Sequence, residues 1–135
     1  MTRNVNPFGE IDILPISLNE EKIKESMDKA QREKKWVVAV VAATKPDFYK
    51  QWSLLPACDK LDIPNFVINT GQHYDEILGH GLDEFKLRDR FACDLAARGD
   101  LLQKSSELIT KIGWFGKYLK QNWPACMHFF FSVIL

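Results

Sequence analysis

Short runs of consecutive apolar residues recur along the chain, and the first two are each followed by a polar segment and then by a helical pattern. The first run is WVVAVVAA at 36–43, which is rich in valine, and the second is centred on Phe66, Val67 and Ile68 within DIPNFVIN. Continuous apolar runs bounded by charged or turn residues are typical of strands buried on both faces. The pattern therefore predicts two central strands of a parallel sheet.

The N-terminal part of the chain shows a different pattern. Residues 1–17 contain two prolines, two asparagines and a glycine without periodicity, so we expect an irregular lead-in. The sequence SLNE, from Ser17 to Glu20, has the form of a capping box. Apolar residues then recur at helical spacing among charges up to Lys35. This segment predicts a surface helix with a narrow apolar stripe.

Three further helices are predicted after the first strand. One runs from about 46 to 61, with a kink or a restart near Leu55 because Pro56 interrupts it. The next runs from about 75 to 85, and the longest from 101 to 121. The residues of the longest helix that we expect to face inward are Leu102, Leu108, Ile109, Ile112, Phe115 and Leu119.

The alternation of strands and helices predicts an α/β fold with a Rossmann-like parallel sheet, right-handed crossovers and flanking helices. The apolar stretch HFFFSVIL at 128–135 predicts one more buried strand of this sheet. Ligands of such folds bind at the carboxyl ends of the strands. The loops ATKPD (43–47) and TGQH (70–73) follow the first two strands, so we expect them side by side around a shared ligand crevice.

Composition narrows the classes of function. The chain has 135 residues, of which 46% are hydrophobic, so it can form one domain with a real core. Eighteen basic and eighteen acidic residues balance, and the positive field expected of a protein that binds nucleic acid or anionic membranes is missing. No apolar run reaches the roughly 20 residues of a membrane span. We therefore expect neither a nucleic-acid nor a membrane partner.

The cysteines and the N-terminus indicate the compartment. Cys58, Cys93 and Cys126 are odd in number and widely spaced, which suits buried thiols in a reducing compartment better than disulfides or a metal site. The N-terminus lacks the basic and apolar regions of a secretory signal. We therefore predict a cytoplasmic protein without a metal site.

The two loops carry the residues with candidate binding chemistry. Lys45 and Lys50 flank the start of a predicted helix, where ammonium groups could join the helix amino end in binding a phosphate. From spacing alone, solvated surface lysines are the more common outcome. Gly71 permits close approach of a ligand, while Gln72 and His73 offer donors and acceptors. A turn glycine and a half-exposed histidine are an equally weighted alternative.

The two motifs together resemble a known family. VVAATKPDFYKQ at 40–51, followed after a strand by TGQHYDEIL at 70–78, is similar to the opening of the non-hydrolysing UDP-N-acetylglucosamine 2-epimerases. That family shows GT[RK]P[ED]xxK and then TGQHxxxxL in the same order, and the resemblance covers about residues 36–124. It implies a glycosyltransferase-B-like fold, in which two Rossmann-like domains face each other across a cleft that binds a UDP-sugar.

The resemblance also implies a reaction and a set of binding residues. The family inverts C2 of the sugar by eliminating UDP and adding it back, without a metal or nicotinamide cofactor, so no cofactor is expected. By position, Lys45 lies near the nucleotide diphosphate, Asp47 shapes the loop and Lys50 points toward the cleft. Gln72 and His73 match the loop that lines the cleft and that contacts a second, regulatory nucleotide sugar in bacterial members. No catalytic residue is matched.

The chain departs from the family at three places. One is Ser53, at a position where the family commonly has proline, whereas the proline of this chain is Pro56. Ala43 replaces the usual glycine, and ACMHFFFSVIL follows NWP where the family continues into HGD, EAGLR and a second nucleotide-binding domain. We therefore expect an N-terminal extension at 1–35 and a truncated Rossmann-like domain at 36–135 that is inactive alone. The alternative is a non-catalytic UDP-sugar-binding or interaction module of the same fold. The apolar C-terminal strand also predicts self-association.

Overall fold

The structure, a computed structural model, describes residues 3–5, 7, 16–42, 53–70, 90–97, 100–126 and 129–132. Six strands and three helices form in these ranges. In chain order they are β1 (Arg3–Val5), β2 (Ile16–Leu18), α1 (Glu20–Glu33), β3 (Val37–Ala42), α2 (Leu54–Lys60), β4 (Asn65–Asn69), β5 (Phe91–Asp94), α3 (Leu101–Asn122) and β6 (Phe129–Ser132). The predicted α/β class is confirmed, and both central strands form where their apolar runs lie.

All six strands belong to one mixed sheet in the order β1-β2-β5-β4-β3-β6. Strands β5, β4, β3 and β6 pair in parallel, as predicted for β3, β4 and β6. The expectation of a purely parallel sheet is wrong, because β2 joins β5 antiparallel and β1 joins β2 antiparallel. The N-terminal strands therefore extend a parallel core at one side.

The order of the four parallel strands determines where a crevice opens. The chain passes from β3 to the adjacent β4 and then to β5, whereas β6 lies on the other side of β3. Numbered in chain order, these strands lie in the order 3-2-1-4, as in the first part of a doubly wound sheet. The direction of winding therefore reverses between β3 and β6. In open α/β sheets, ligands bind beside the carboxyl ends of the strands at such a reversal.

The start of the first helix differs from the prediction. Helix α1 begins at Glu20 behind Asn19, whose side-chain oxygen accepts from the Lys22 backbone N–H at 3.3 Å. Asn19 Nδ2 also donates to the Phe91 carbonyl at 3.0 Å, which fixes the helix start to β5. Ser17 instead lies within β2. Strand pairing thus overrides the local capping box at Ser17, and the expected irregular lead-in is wrong for residues 3–5 and 16–17.

Replacing Asn19 with alanine is expected to lower the free energy of unfolding by about 1–2 kcal/mol, because the helix loses its cap and its link to β5. Ser17→Ala is the matched control. Its hydroxyl donates only to Asn4 Oδ1 at an exposed site, so the loss should stay below about 0.5 kcal/mol. Urea unfolding followed by circular dichroism measures both. A larger loss for Ser17→Ala would restore Ser17 as the cap.

The hydrophobic core combines side chains from the N-terminal 35 residues with side chains from the rest of the described chain. Helix α1 packs against β3, β4 and β5. The core cluster includes Ile16, Leu18, Ile23, Met27, Ala30, Val37, Ala39, Val41, Phe66, Ile68, Ala92, Cys93, Leu95, Phe115, Leu119, Trp123 and Cys126. Side chains from residues 1–35 and from residues 36–135 therefore share one core. The division of the chain at residue 35 stays a prediction.

Helix α3 spans Leu101–Asn122, within one residue of the prediction. Phe115 and Leu119 are buried, while Leu108 and Ile112 pack partly against the core, as expected for the inward face. The expectation is wrong for two positions, because Leu102 is 77% and Ile109 is 75% exposed. Because successive residues of an α-helix are about 100° apart, these two aliphatic side chains lie on roughly the opposite side of the helix from Phe115.

Helix α2 begins at Leu54, in agreement with the predicted restart near Leu55. Pro56 lies in its first turn, where the missing N–H has no intrahelical partner to lose. The helix predicted at 75–85 lies outside the described residues. None of the helices within the described ranges combines the length and apolar character that crossing a bilayer requires.

Candidate functional site

The carboxyl ends of the three central parallel strands lie in one row. Ala42 ends β3 and is the register partner of Asn69, which ends β4. Asn69 is in turn the register partner of Asp94, the last residue of β5. The segments that follow β3 and β4 therefore start from adjacent points at the same edge of the sheet. This is the arrangement that the prediction of a shared crevice requires of the two strands.

The predicted ligand-binding residues come after the ends of β3 and β4 in the chain, but they lie outside the described residues. They are Lys45, Asp47, Lys50, Gln72 and His73. Of the TGQH loop the structure describes only Thr70, which is 1% exposed. The positions of the five side chains therefore stay predictions. What the structure does establish is the rim from which both loops depart.

The rim is built from buried polar residues. Asn69, Thr70 and Asp94 are all buried, and Lys111 of helix α3 is 0% exposed. Beyond the strand ends, the Leu95 N–H donates to the Asn69 carbonyl and the Ala97 N–H to the Thr70 carbonyl, each at 2.8 Å. Burial of polar groups is costly unless they are paired. These contacts hold the backbone after β4 and β5 in one fixed arrangement.

Asp94 shapes the turn that leads from β5 to α3. Its Oδ1 accepts from the Ala96 N–H at 2.9 Å, and Ala96 adopts a left-handed φ of 52°. Helix α3 then starts with a complete capping box. In that box Asp100 Oδ1 accepts from the Gln103 N–H and Gln103 Oε1 accepts from the Asp100 N–H, each at 2.9 Å. A carboxylate thus already occupies the amino end of α3.

A buried ion pair lies beneath this turn. Lys111 Nζ donates to the Ala96 carbonyl at 3.2 Å and to Glu107 Oε2 at 3.3 Å. The Lys111 side chain is 0% exposed and that of Glu107 is 17% exposed. Because the ammonium is shielded from solvent, it cannot contact a ligand directly. Its role in the described contacts is to fix the Asp94–Ala97 turn to helix α3.

The three cysteines are buried, and burial makes Cys58 and Cys93 poor nucleophiles. Cys58, Cys93 and Cys126 are buried and free, as predicted. Burial raises the pKa of the Cys58 thiol, and it raises the pKa of the Cys93 thiol well above its ordinary value. Both groups are therefore neutral thiols near pH 7, whereas the thiolate is the nucleophile. Within the described ranges, no group of histidine, cysteine and acidic residues could hold a metal ion.

A second polar network lies at the opposite, amino end of β4. Arg90 Nη1 donates to Asp59 Oδ1 at 3.0 Å and to Asn65 Oδ1 at 2.7 Å. The hydrogen bond from Arg90, supported by one from Asn65, holds the pKa of the Asp59 carboxyl below its ordinary value. Beside it is a cavity of about 290 Å³ between α1 and the turn before β4. This cavity lies at the wrong end of the sheet for the predicted crevice.

Most charges around that cavity already have partners. Lys29 and Lys35 both pair with Asp62, and these contacts lower the pKa of its carboxyl to about 2. Asp59 is held by Arg90. At the amino end of the sheet, ion pairs therefore join α1 to Asp62, in the turn after α2, and join α2 to Arg90, before β5. The carboxyl-end rim remains the candidate functional site.

Sequence patterns did not reveal β5 or the buried ion pair. The strand FACD has only four residues and lacks a long apolar run, so Asp94 was not recognised as a residue at a strand end. Glu107 and Lys111 have the spacing of a surface i, i+4 pair, which is far more common on an exposed helix face. One feature of the sequence does indicate that Lys111 is buried. At helical spacing, Lys111 lies on the same face as the apolar residues Phe115 and Leu119.

Comparison with known proteins gives no match. No family model, no curated protein and no solved structure shows significant similarity to this chain. The resemblance to the 2-epimerases therefore rests on the two motifs at 40–51 and 70–78 and on their order in the chain.

Proposed function

We propose that this chain binds a UDP-sugar at the carboxyl ends of β3 and β4, as the N-terminal part of a UDP-N-acetylglucosamine 2-epimerase of glycosyltransferase-B-like fold. One observation carries the proposal. The two motifs that resemble the family follow strands that are adjacent and parallel, and whose last residues, Ala42 and Asn69, are register partners. Two loops that depart from such a pair can bind one ligand between them.

The topology favours an anionic ligand at this position. The segment that starts with ATKPD follows β3, the strand beside which the winding of the sheet reverses. Ligands of doubly wound sheets bind beside such a strand, and phosphates are bound there by backbone N–H groups at helix amino ends. We assign Lys45 to the diphosphate, Asp47 to the shape of the loop, Lys50 to the cleft, and Gln72 and His73 to the loop that lines the cleft.

A non-catalytic UDP-sugar-binding module is the second candidate function. Elimination across C1 and C2 needs a base for the carbon-bound proton and an acid or electrostatic clamp for the departing diphosphate. Among the matched residues, only His73 is a plausible proton carrier. The loop that contains it is a binding loop in the family that the chain resembles. This observation favours binding without turnover.

The proposal predicts weak, salt-sensitive binding of UDP. One loop lysine and backbone amides should hold the diphosphate with a Kd of roughly 0.1–1 mM. Lys45→Ala is expected to weaken binding about tenfold, because the ammonium at the loop is removed. Isothermal titration calorimetry at low and high salt measures both effects. Lys117→Ala is the matched control, since Lys117 is exposed on α3.

Two results would count against the site. They are tight UDP binding that Lys45→Ala leaves unchanged, and equal weakening by Lys45→Ala and Lys117→Ala. A separate assay tests the expectation that the chain is inactive alone. Incubation of UDP-N-acetylglucosamine with the chain in deuterated water should leave the C2 proton unexchanged. Exchange at C2 that disappears with His73→Ala would instead show that the chain is active alone and would rule out the non-catalytic module.

A further inference from the structure

Strand β6 forms one side of the sheet and has an uncharged edge. Within the described strands it pairs only with β3, in parallel, with Phe129–Ser132 along Val37–Val40. Its sequence FFFS contains no charged residue and no proline. A strand paired on one side presents backbone N–H and C=O groups on the other, which is a template for a further strand. The partner that can pair with these backbone groups is therefore another extended segment.

An exposed tryptophan lies near this edge in the described chain. Trp36 directly precedes Val37, whose register partner is the first residue of β6. This tryptophan is 53% exposed, which makes it one of the large exposed hydrophobic residues of the described chain. Aromatic residues are enriched in the centres of protein interfaces. An edge with three phenylalanines in sequence and an exposed tryptophan beside its start has the composition of an interface.

The opposite edge of the sheet has different properties. Strand β1 has only three residues, and its first residue, Arg3, forms an ion pair with Glu20 at 2.6 Å. Short strands and charged side chains are common means by which proteins protect a sheet edge against pairing. Pairing of β6 with β1 of another copy would be head-to-tail and could continue indefinitely. The protection of β1 disfavours that growth. Of the two outer strands of the described sheet, β6 is therefore the one that we expect to accept a partner.

We propose that two copies of this chain associate through β6, with the two strands antiparallel around a two-fold axis. The sheet then continues across the dimer. The register that pairs all four residues sets Phe129 opposite Ser132 and Phe130 opposite Phe131 of the second copy. Antiparallel pairing lets both copies use the same edge, so the interface is self-complementary and closed at two subunits. The proposal does not depend on the ligand or on the proposed function.

Sedimentation equilibrium of the full chain at several concentrations tests this proposal. The wild-type chain is expected to dimerise without forming larger species. Ser132→Lys places a charge on the edge strand and should weaken dimerisation at least about tenfold. Asn4→Lys places the same charge on β1, and Ser106→Lys places it on the exposed face of α3, so both should dimerise as the wild type does. Circular dichroism of each variant checks that the fold is retained.

Each other outcome overturns the proposal. A wild-type chain that stays monomeric up to about 100 μM would contradict the proposal, because we expect the β6 dimer to have a dissociation constant below that concentration. Dimers that persist in Ser132→Lys, or that dissociate in Asn4→Lys, place the interface elsewhere. Larger assemblies show that the contact does not close at two copies. If Ser132→Lys unfolds, protection of the Phe130 and Phe131 amides from hydrogen exchange is the second measurement. It must rise with wild-type concentration.

Discussion

Phe66→Ala is expected to lower the free energy of unfolding by about 3–5 kcal/mol, the largest loss of any single substitution considered. Phe66 is 0% exposed in the central strand β4. Its ring meets that of Phe115 edge to face, with centroids 6.2 Å apart and planes at 88°. The substitution removes this aromatic contact and leaves a cavity between the sheet and α3. Such a loss is a large share of the stability of an ordinary domain.

Urea unfolding followed by circular dichroism measures the effect, with Leu102→Ala as the control. Leu102 is 77% exposed on α3, so its truncation should change stability by less than about 0.5 kcal/mol. The pair of variants tests how α3 is oriented on the sheet. Equal losses at the two positions would mean that the helix is rotated toward the face that contains Leu102 and Ile109, as the sequence pattern first suggested.

Glu107→Ala is expected to destabilise the chain by about 3 kcal/mol, because it removes a carboxylate that pairs with the buried ammonium of Lys111. The same ammonium donates to the Ala96 carbonyl at 3.2 Å. The loss should therefore be accompanied by faster hydrogen exchange in the Asp94–Ala97 turn. Thermal and urea unfolding measure the first effect, and amide exchange measures the second.

Glu25→Ala is the matched control for this ion pair. The Glu25 side chain is 75% exposed and lies 3.9 Å from Lys22, also within a helix. An exposed pair of this kind contributes about 0–1 kcal/mol. Equal, small effects of the two glutamate substitutions would show that Lys111 is hydrated and does not anchor the rim. A stable double variant Glu107→Leu with Lys111→Met would be consistent with the burial of the pair.

Long local patterns in the sequence predicted the elements that depend on them. The valine-rich run of β3, the apolar centre of β4 and the repeated spacing of α3 each specify an element before any partner is known. Strands β2 and β5 have three and four residues, and they form because β2 pairs with β5 and β5 pairs with β4. No periodicity within so short a segment distinguishes a strand from a loop.

The position of the candidate site was easier to predict than its chemistry. The order of strands and polar loops correctly brought the ends of β3 and β4 together. The burial of Lys111 could not be predicted in this way, since a lysine four residues after a glutamate has the same sequence pattern on an exposed face. Likewise, Ser17 has good local capping chemistry, but pairing of β2 with β5 places the helix start at Asn19.

Mapping of amide chemical shifts during titration with UDP tests the central claim most directly, because it locates the ligand on the sheet. We expect progressive shifts at the carboxyl-end rim, at the amides of Asn69, Thr70 and Ala96, together with those of residues 43–50. The amides of Ser26 and Asn65, beside the amino-end cavity, should not move. Shifts confined to Ser26 and Asn65, or none at millimolar UDP, would contradict a nucleotide-sugar site at the carboxyl ends of β3 and β4.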